Sequence, residues 1–247
     1  MYVNTTGIIL RETAYKDSSK ILTVLTSSEG KITVSARGAL RKNSKLAAVT
    51  QLLVFSEMTL FFNKGKWSIT EARTVEQFRG LRDDITLLAL GSYFGEIVEA
   101  VADEDSPNPI LLSLLLNSLF ALSENKKAPA FVKPAFEIRI MAESGFAPLT
   151  DHCAMCGAKK VEMAFLDLTG GTLFCNPCGR NGFNDTAELS AGALDALRYI
   201  TTCDYKKILS FTIGESALKE LTRAAEGYLL TQLDRNFRTL DYFKGFK

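Results

Sequence analysis

The 247-residue chain is short of several residue types on which catalysis and export depend. It holds one histidine, His152, followed by Cys153 and Ala154. That removes histidine acid–base pairs and the H-x-E plus P-C-x-x-C pattern of a zinc deaminase. No G-x-x-x-x-G-K-[ST] stretch cradles a nucleotide phosphate, and no G-x-S-x-G marks a nucleophile elbow, so no catalytic set emerges and the chain reads as a non-enzyme. Met1-Tyr2-Val3-Asn4 begins no secretory signal. The greasiest stretch, Pro109 to Leu122, is interrupted by Ser113, Asn117 and Ser118. It falls short of the ~20 residues that span a bilayer and reads as a buried helix. No repeat or low-complexity tract occurs. The expectation from these absences is a cytosolic chain, whose thiols would stay reduced and bind metal rather than pair as disulfides.

Net charge is nearly absent too, at +1, but it is unevenly distributed. Residues 1–80 carry 12 Lys/Arg against 6 Asp/Glu, and the remainder carries 17 against 22. A basic front on a neutral chain points to a polyanion partner confined to one domain.

Four of the five cysteines form two pairs, Cys153-Ala-Met-Cys156 and Cys175-Asn-Pro-Cys178, with 18 residues between Cys156 and Cys175. Two C-x2-C turns at this spacing bring four thiolates to one point, as in a structural zinc site, Zn2+. Four sulfurs close the tetrahedron, so such a metal is structural rather than catalytic. Redox use of either pair requires a thioredoxin-like βαβ setting, and none surrounds them. The intervening residues read as a hairpin, Ala164–Leu168, Gly170-Gly171, then Thr172–Phe174. Cys203 stands apart and reads as a small buried hydrophobe. His152 is not needed as a ligand.

Thr6 to Phe78 is β-rich. Gly7–Leu10 and Ile21–Leu25 are apolar runs, Ser27–Gly30 is a hairpin loop, and Ile32, Val34 and Ala36 alternate with polar residues. Leu52–Phe62 reads as a long strand, Asn63–Lys66 as a turn and Trp67–Phe78 as its return, with no helix beyond Leu46–Thr50. Five strands in ~75 residues suit an OB-type barrel. From Leu81 the period becomes helical. Helices are expected from Leu81 to a break at Asp105–Pro109, over Ile110–Ser123, from Ala130 to Ser144, from an N-cap at Ser190 through Ile200, and over Ser216–Leu233. The expected fold is α+β and multidomain: a five-stranded OB barrel, then an α-helical domain with an inserted four-cysteine zinc hairpin. The expected boundaries are 1–80 for the barrel, 81–150 for the first helical part, 151–182 for the zinc insertion and 183–247 for the second helical part.

Arg37-Gly38-Ala39-Leu40-Arg41-Lys42-Asn43-Ser44-Lys45 follows the third strand and carries four cations and no acid. At a barrel rim such a loop holds phosphates without reading sequence. The bland alternative is a solvated loop. Lys64 and Lys66 form a second basic finger beside Trp67, whose ring is either a base platform or core. Lys31 completes the candidate DNA-binding set of Arg37, Arg41, Lys42, Lys45, Lys31, Lys64 and Lys66.

In order, the chain presents Gly7-Ile8-Ile9-Leu10-Arg11, Ser27-Ser28-Glu29-Gly30-Lys31-Ile32, Ala36-Arg37-Gly38-Ala39-Leu40-Arg41 and Pro107-Asn108-Pro109. Phe136-Glu137-Ile138-Arg139, Ser144-Gly145-Phe146, the four cysteines, Tyr228-Leu229-Leu230 and Arg235-Asn236-Phe237 follow. In these stretches it resembles the RecO family of bacterial recombination mediators, although Leu40 and Ala48 stand where the family often has a basic residue. The resemblance implies a cytoplasmic, nucleoid-associated DNA repair and recombination protein. It implies binding of single- and double-stranded DNA through the barrel, annealing of complementary strands without ATP, and recombinase loading on strands covered by single-strand-binding protein. It implies RecR and the acidic-apolar tail of single-strand-binding protein as partners. Arg139 or Lys133 would meet that tail's carboxylates, and the Ile110–Leu122 leucines its apolar end. Two other classes remain open at this point: an RNA-binding OB/zinc-ribbon protein of translation or transcription, and a scaffold whose basic front docks an acidic protein.

Overall fold

The computed structural model describes residues 1–179 and 185–246, which fall into two compact units. The first comprises residues 1–125 and the chain from Phe237 onward; the second comprises Lys126–Asn236. The expected boundary at 182/183 lies outside the described residues.

The first unit is built on a closed five-stranded barrel in the order β1-β2-β3-β5-β4. The strands are β1 (Tyr2–Tyr15), β2 (Ser19–Thr26), β3 (Gly30–Ala36), β4 (Phe55–Asn63) and β5 (Lys66–Glu76). Val34 and Ser35 pair in parallel with Trp67 and Ser68, which closes the cylinder in the OB manner. β1 is far longer than its apolar run suggests, because it serves two partners. Its first half pairs with β4 and its second with β2, and the register shifts between Ile9 and Arg11. At the crossover, Gly7 lies so close to β2 that a Cβ would stand 2.9 Å from a Val24 methyl carbon. Ile9, Leu22, Val24, Ile32, Val34, Met58, Leu60 and Ile69 fill the interior.

Two expectations within the barrel segment are corrected by the structure. The strand expected from Leu52 begins only at Phe55, because Leu53 adopts φ 59°, a left-handed conformation that no strand can pass through. Its amide donates to Ile9 O and its buried side chain sits under the helices. The helix expected at Leu46–Thr50 is a run of turns instead.

Four helices belong to this unit among the described residues: α1 (Arg79–Arg82), α2 (Ile85–Val101), α3 (Pro109–Ser123) and α8 (Arg238–Gly245). The helix expected from Leu81 is split because the Asp84 carboxylate accepts from the Thr86 and Leu87 amides and so caps a new start. Asn108 caps α3 in the same way, with Pro109 at its first position. α8 packs on α2 through Phe237, whose ring meets Tyr93 edge-on at 5.5 Å.

The second unit holds α4 (Pro129–Glu143), β6 (Met163–Asp167), β7 (Leu173–Cys175), α5 (Asn176–Gly179), β8 (Thr186–Ser190), α6 (Ala191–Thr202) and α7 (Glu215–Leu233). The cysteine hairpin is widened to an antiparallel sheet ordered β7-β6-β8. β8 escapes pattern reading because only Leu189 of its five residues is buried; pairing with β6 makes it a strand. Ser190 holds the N-cap position of α6, but its side chain makes no capping bond; its amide donates to Glu220 at 2.8 Å. No described helix is long and apolar enough to cross a membrane.

Candidate nucleic-acid interface and metal centre

The chain leaving β3 makes successive tight turns: Arg41 N–H to Gly38 O, Ser44 N–H to Arg41 O, and Ala47 N–H to Ser44 O. Buried Ala39 anchors the loop, while Arg37, Arg41, Lys42 and Lys45 are all exposed. The loop is also fixed from outside. Leu40 N–H donates to Ser18 O at 3.0 Å, and Gly38 N–H to Ser19 Oγ at 3.3 Å. These bonds bring the rim against the β1–β2 turn, where exposed Tyr15 lies under the Lys16 ammonium at 5.3 Å. Tyr15 and Lys16 are absent from the sequence-based set. Their signal was an aromatic-basic pair at a turn next to Asp17-Ser18. An OB barrel receives oligonucleotides on the face of its second and third strands, flanked by its first and last loops. Rim, first turn and β4–β5 hairpin supply cations around that face.

Lys64 and Lys66 are exposed at the hairpin tip. Lys64 and Gly65 have φ 49° and 74°, the pairing of a two-residue I′ turn, in which glycine is the residue that carries the second positive φ without strain. Lys31 is not part of this group. It lies at the far end of β3, half-buried, with its ammonium donating to Glu99 O of α2 at 2.9 Å. Its charge is used in packing strand to helix.

A concavity of about 710 Å³ opens on β1, β4 and β5, lined by Asn4, Thr6, Thr59, Glu57, Glu71 and Arg73 among others. Glu57 is already engaged by Arg73 at 2.8 Å, and Glu71 adds a second carboxylate. Two carboxylates against one cation disfavour a phosphodiester at this face, so size alone does not mark the interface.

In the second unit, the Sγ atoms of Cys153, Cys156, Cys175 and Cys178 lie within 4.8 Å of one another, with Cys156 and Cys175 at 3.6 Å. A tetrahedron with metal–sulfur bonds of ~2.3 Å has sulfur–sulfur edges of ~3.8 Å, so the set fits one metal ion. The first C-x2-C turn closes through Gly157 N–H to Cys153 O, and Ala154 N–H ties it to Leu173 O of β7. Burial works against ionisation of Cys153, but backbone N–H groups of Cys175, Cys156 and Met155 outweigh it and bring this thiol to about 6. Cys178, beside the Cys175 side chain and partly desolvated, is pushed up to about 12. Four sulfurs this close cannot all be anionic without a cation among them. Among the described residues the apolar cluster around the sulfurs is Phe174 and the two buried cysteines, with Ala158, Val161 and Cys178 at its edge. His152 is exposed and outside the cluster.

Lys133 and Arg139 are corrected as docking residues. The Lys133 ammonium is buried between Glu137 at 2.7 Å and Glu226 at 2.8 Å. Burial opposes its charge, but the two carboxylates prevail and raise it above the usual lysine range. Arg139 donates to the carbonyls of Ile200, Thr201 and Cys203 and pairs with Glu143. It therefore satisfies the last carbonyls of α6, the end where a cation is favoured. The expected apolar contacts are likewise mostly core, since Leu111, Leu112, Leu114, Leu115, Leu119 and Leu122 are buried in the first unit. Cys203 is half-buried rather than buried.

Barrel, helices and clustered cysteines define a class: an OB-type barrel joined to a helical domain that carries a metal-binding knuckle. The family model described as "Recombination protein O N terminal" matches residues 1–78, and "Recombination protein O C terminal" matches 82–241. The DNA repair protein RecO of Acetivibrio thermocellus is 32% identical over 243 residues, covering 98% of this chain and 96% of that one. The protein of the same name from Caldicellulosiruptor bescii is 33% identical over 242 residues, covering 98% of each. The Bacillus pumilus protein is 29% identical over 228 residues, covering 92% and 88%. The chain belongs to the RecO family.

Proposed function

We propose that this protein is a DNA repair and recombination mediator that holds single- and double-stranded DNA on its barrel and anneals complementary strands without ATP. It helps load recombinase on strands covered by single-strand-binding protein. The carrying observation is the rim loop: four exposed cations and no acid, fixed to the β1–β2 turn of a closed barrel. Arg37, Arg41, Lys42 and Lys45 neutralise phosphates, and Lys64, Lys66 and Lys16 extend the track. Phosphate contacts of this kind position a strand without specifying its sequence, which suits a mediator. Annealing two polyanions needs charge neutralisation and alignment; it needs no bond-making residue.

The four cysteines hold zinc, which when bound cross-links the knuckle and leaves no open coordination position. RecR and the tail of single-strand-binding protein are the protein partners of this reading. Lys133 and Arg139 do not contribute to the tail site, because both are used inside the second unit. A surface with suitable chemistry lies beside α4, where Phe131 and Phe211 stack at 4.4 Å and Lys127 stands 4.9 Å from the Phe131 ring. It offers a cation and apolar rings to an acidic-apolar peptide.

The test is annealing of complementary oligonucleotides coated with single-strand-binding protein, in the absence of nucleotide. Acceleration over the uncatalysed reaction is expected with DNA. Activity confined to RNA strands would replace this reading with an RNA-binding one, and no affinity for either would replace it with a protein scaffold.

A further inference from the structure

We propose that the tip of the β4–β5 hairpin is a base-stacking finger, with Phe62 as the contact ring, which receives unpaired bases and so sets single strands apart from duplex. The inference rests on the DNA-binding reading of the barrel and names the form of nucleic acid that this part of it prefers.

Phe62 and Trp67 are directly opposed across the hairpin, with ring centroids 4.7 Å apart at 47°. They differ in exposure. Trp67 packs against the barrel core and is half-buried, whereas Phe62 is 36% exposed. One ring is therefore held by the interior and the other is held by that ring and turned to solvent. The I′ turn at Lys64-Gly65 keeps the pair at the end of a two-residue hairpin rather than on a long loop. Phe61 to Ile69 contains Lys64 and Lys66 and no acid. An aromatic face beside two ammonium groups complements a base and its flanking phosphates, and every base has a face to stack.

Position supports the same occupant. Trp67 pairs with Val34, and Arg37 at the start of the rim stands three positions further along, about 10 Å of extended chain. A strand lying along the rim cations thus passes the finger. On the opposite face of the same strand ends, Tyr2 and Phe61 also pair at 4.7 Å. That side leads into the concavity bearing Glu57 and Glu71, so it is the Phe62 side that suits nucleic acid. Bases inside a duplex are stacked on one another and have no free face for Phe62.

Trp67 is the only tryptophan in the chain, so its emission reports on the finger directly. The experiment titrates the full chain with labelled oligo-dT, an abasic strand of equal length and a blunt duplex, following binding by anisotropy and Trp67 emission in parallel. Oligo-dT should change Trp67 emission, and the other two should bind without changing it. Phe62→Ala should weaken oligo-dT about 5- to 100-fold. It should leave abasic and duplex affinities and the salt dependence unaltered. Phe62→Tyr should retain affinity. Phe62→Leu should lose it while thermal unfolding shows the barrel intact. Equal binding of oligo-dT and abasic strands with unchanged emission overturns the finger and leaves the rim reading standing. Loss of all binding in the unmodified chain overturns both. If Phe62→Ala spares oligo-dT but abolishes capture of RecR, the ring is a protein contact and the proposal is wrong.

Discussion

Single side chains in this protein show how burial decides whether a charge is available for partners. Lys133 and Arg139 look like recognition residues on an apolar helix, yet each is bound by groups of its own unit. Lys133→Ala leaves Glu137 buried beside Glu226 without the ammonium between them. The expected cost is about 3–5 kcal/mol, read from urea unfolding. Tyr228 gives a pH signature. Its hydroxyl donates to Phe146 O at 3.1 Å, and burial, helped by the Asp167 carboxylate, pushes the phenol up to about 12. The folded value lies above the unfolded one. Its contribution is therefore complete below pH ~10 and is lost as the unfolded chain ionises first, at ~1.4 kcal/mol per pH unit up to the folded value. Tyr228→Phe should cost about 1 kcal/mol at pH 8. The gap between the two proteins should close near pH 11, because only the parent loses this stabilisation. A gap that stays constant with pH would show that Tyr228 ionises alike in both states.

At the scale of elements, the rim loop and the cysteine knuckle differ in what holds them. The rim is fixed by backbone bonds to β1–β2 and by Ala39, so its charges can be removed without unfolding it. Each phosphate contact to a single strand contributes ~0.7 to the slope of log affinity against log salt. Replacing Arg37, Arg41, Lys42 and Lys45 by Ala should flatten that slope by about 2.8 and weaken all sequences alike. A loss confined to particular sequences would point to base readout instead. Among the described residues the apolar cluster around the sulfurs is Phe174 and the cysteines with a few edge contacts, so a bound metal would carry much of the knuckle's stability. Purified protein should contain one zinc per chain by elemental analysis. Cys175→Ser or chelation should unravel the knuckle and loosen β6–β8, with a lowered melting transition for the second unit. The barrel's binding of oligo-dT should persist.

For the whole molecule, the two units divide the labour that the proposed function requires. The barrel carries the acid-free cationic rim, and the second unit carries the four-cysteine knuckle and the aromatic-basic surface at Phe131, Phe211 and Lys127. Annealing by the full chain should proceed equally with and without nucleotide, since no phosphate-cradling loop is present in the sequence. The rate should fall as salt rises, in parallel with the binding of single strands. An ATP requirement in a purified, two-strand assay would contradict annealing by charge neutralisation and alignment alone.

The sequence by itself determined the features that depend on short range: hairpin turns, alternating strands, the helical period and the cysteine spacing. Two C-x2-C turns are local geometry, so Cys153, Cys156, Cys175 and Cys178 could be assigned to one cluster before any coordinates. So could the rim, because four cations without an acid form a contiguous run. Tertiary structure decided what depends on partners distant in the chain. β8 exists because β6 offers it an edge, and Leu53 turns because its amide is claimed by Ile9 O. It also sorted the cations. Lys31, Lys133 and Arg139 are as basic as Arg37 or Lys42, but carbonyls and a carboxylate 61 to 93 positions away claim them, joined for the last two by Glu137 and Glu143 one helical turn on. The distant partners leave no pattern along the chain, because a charge is available for binding only when the folded protein has left it unpaired and wet.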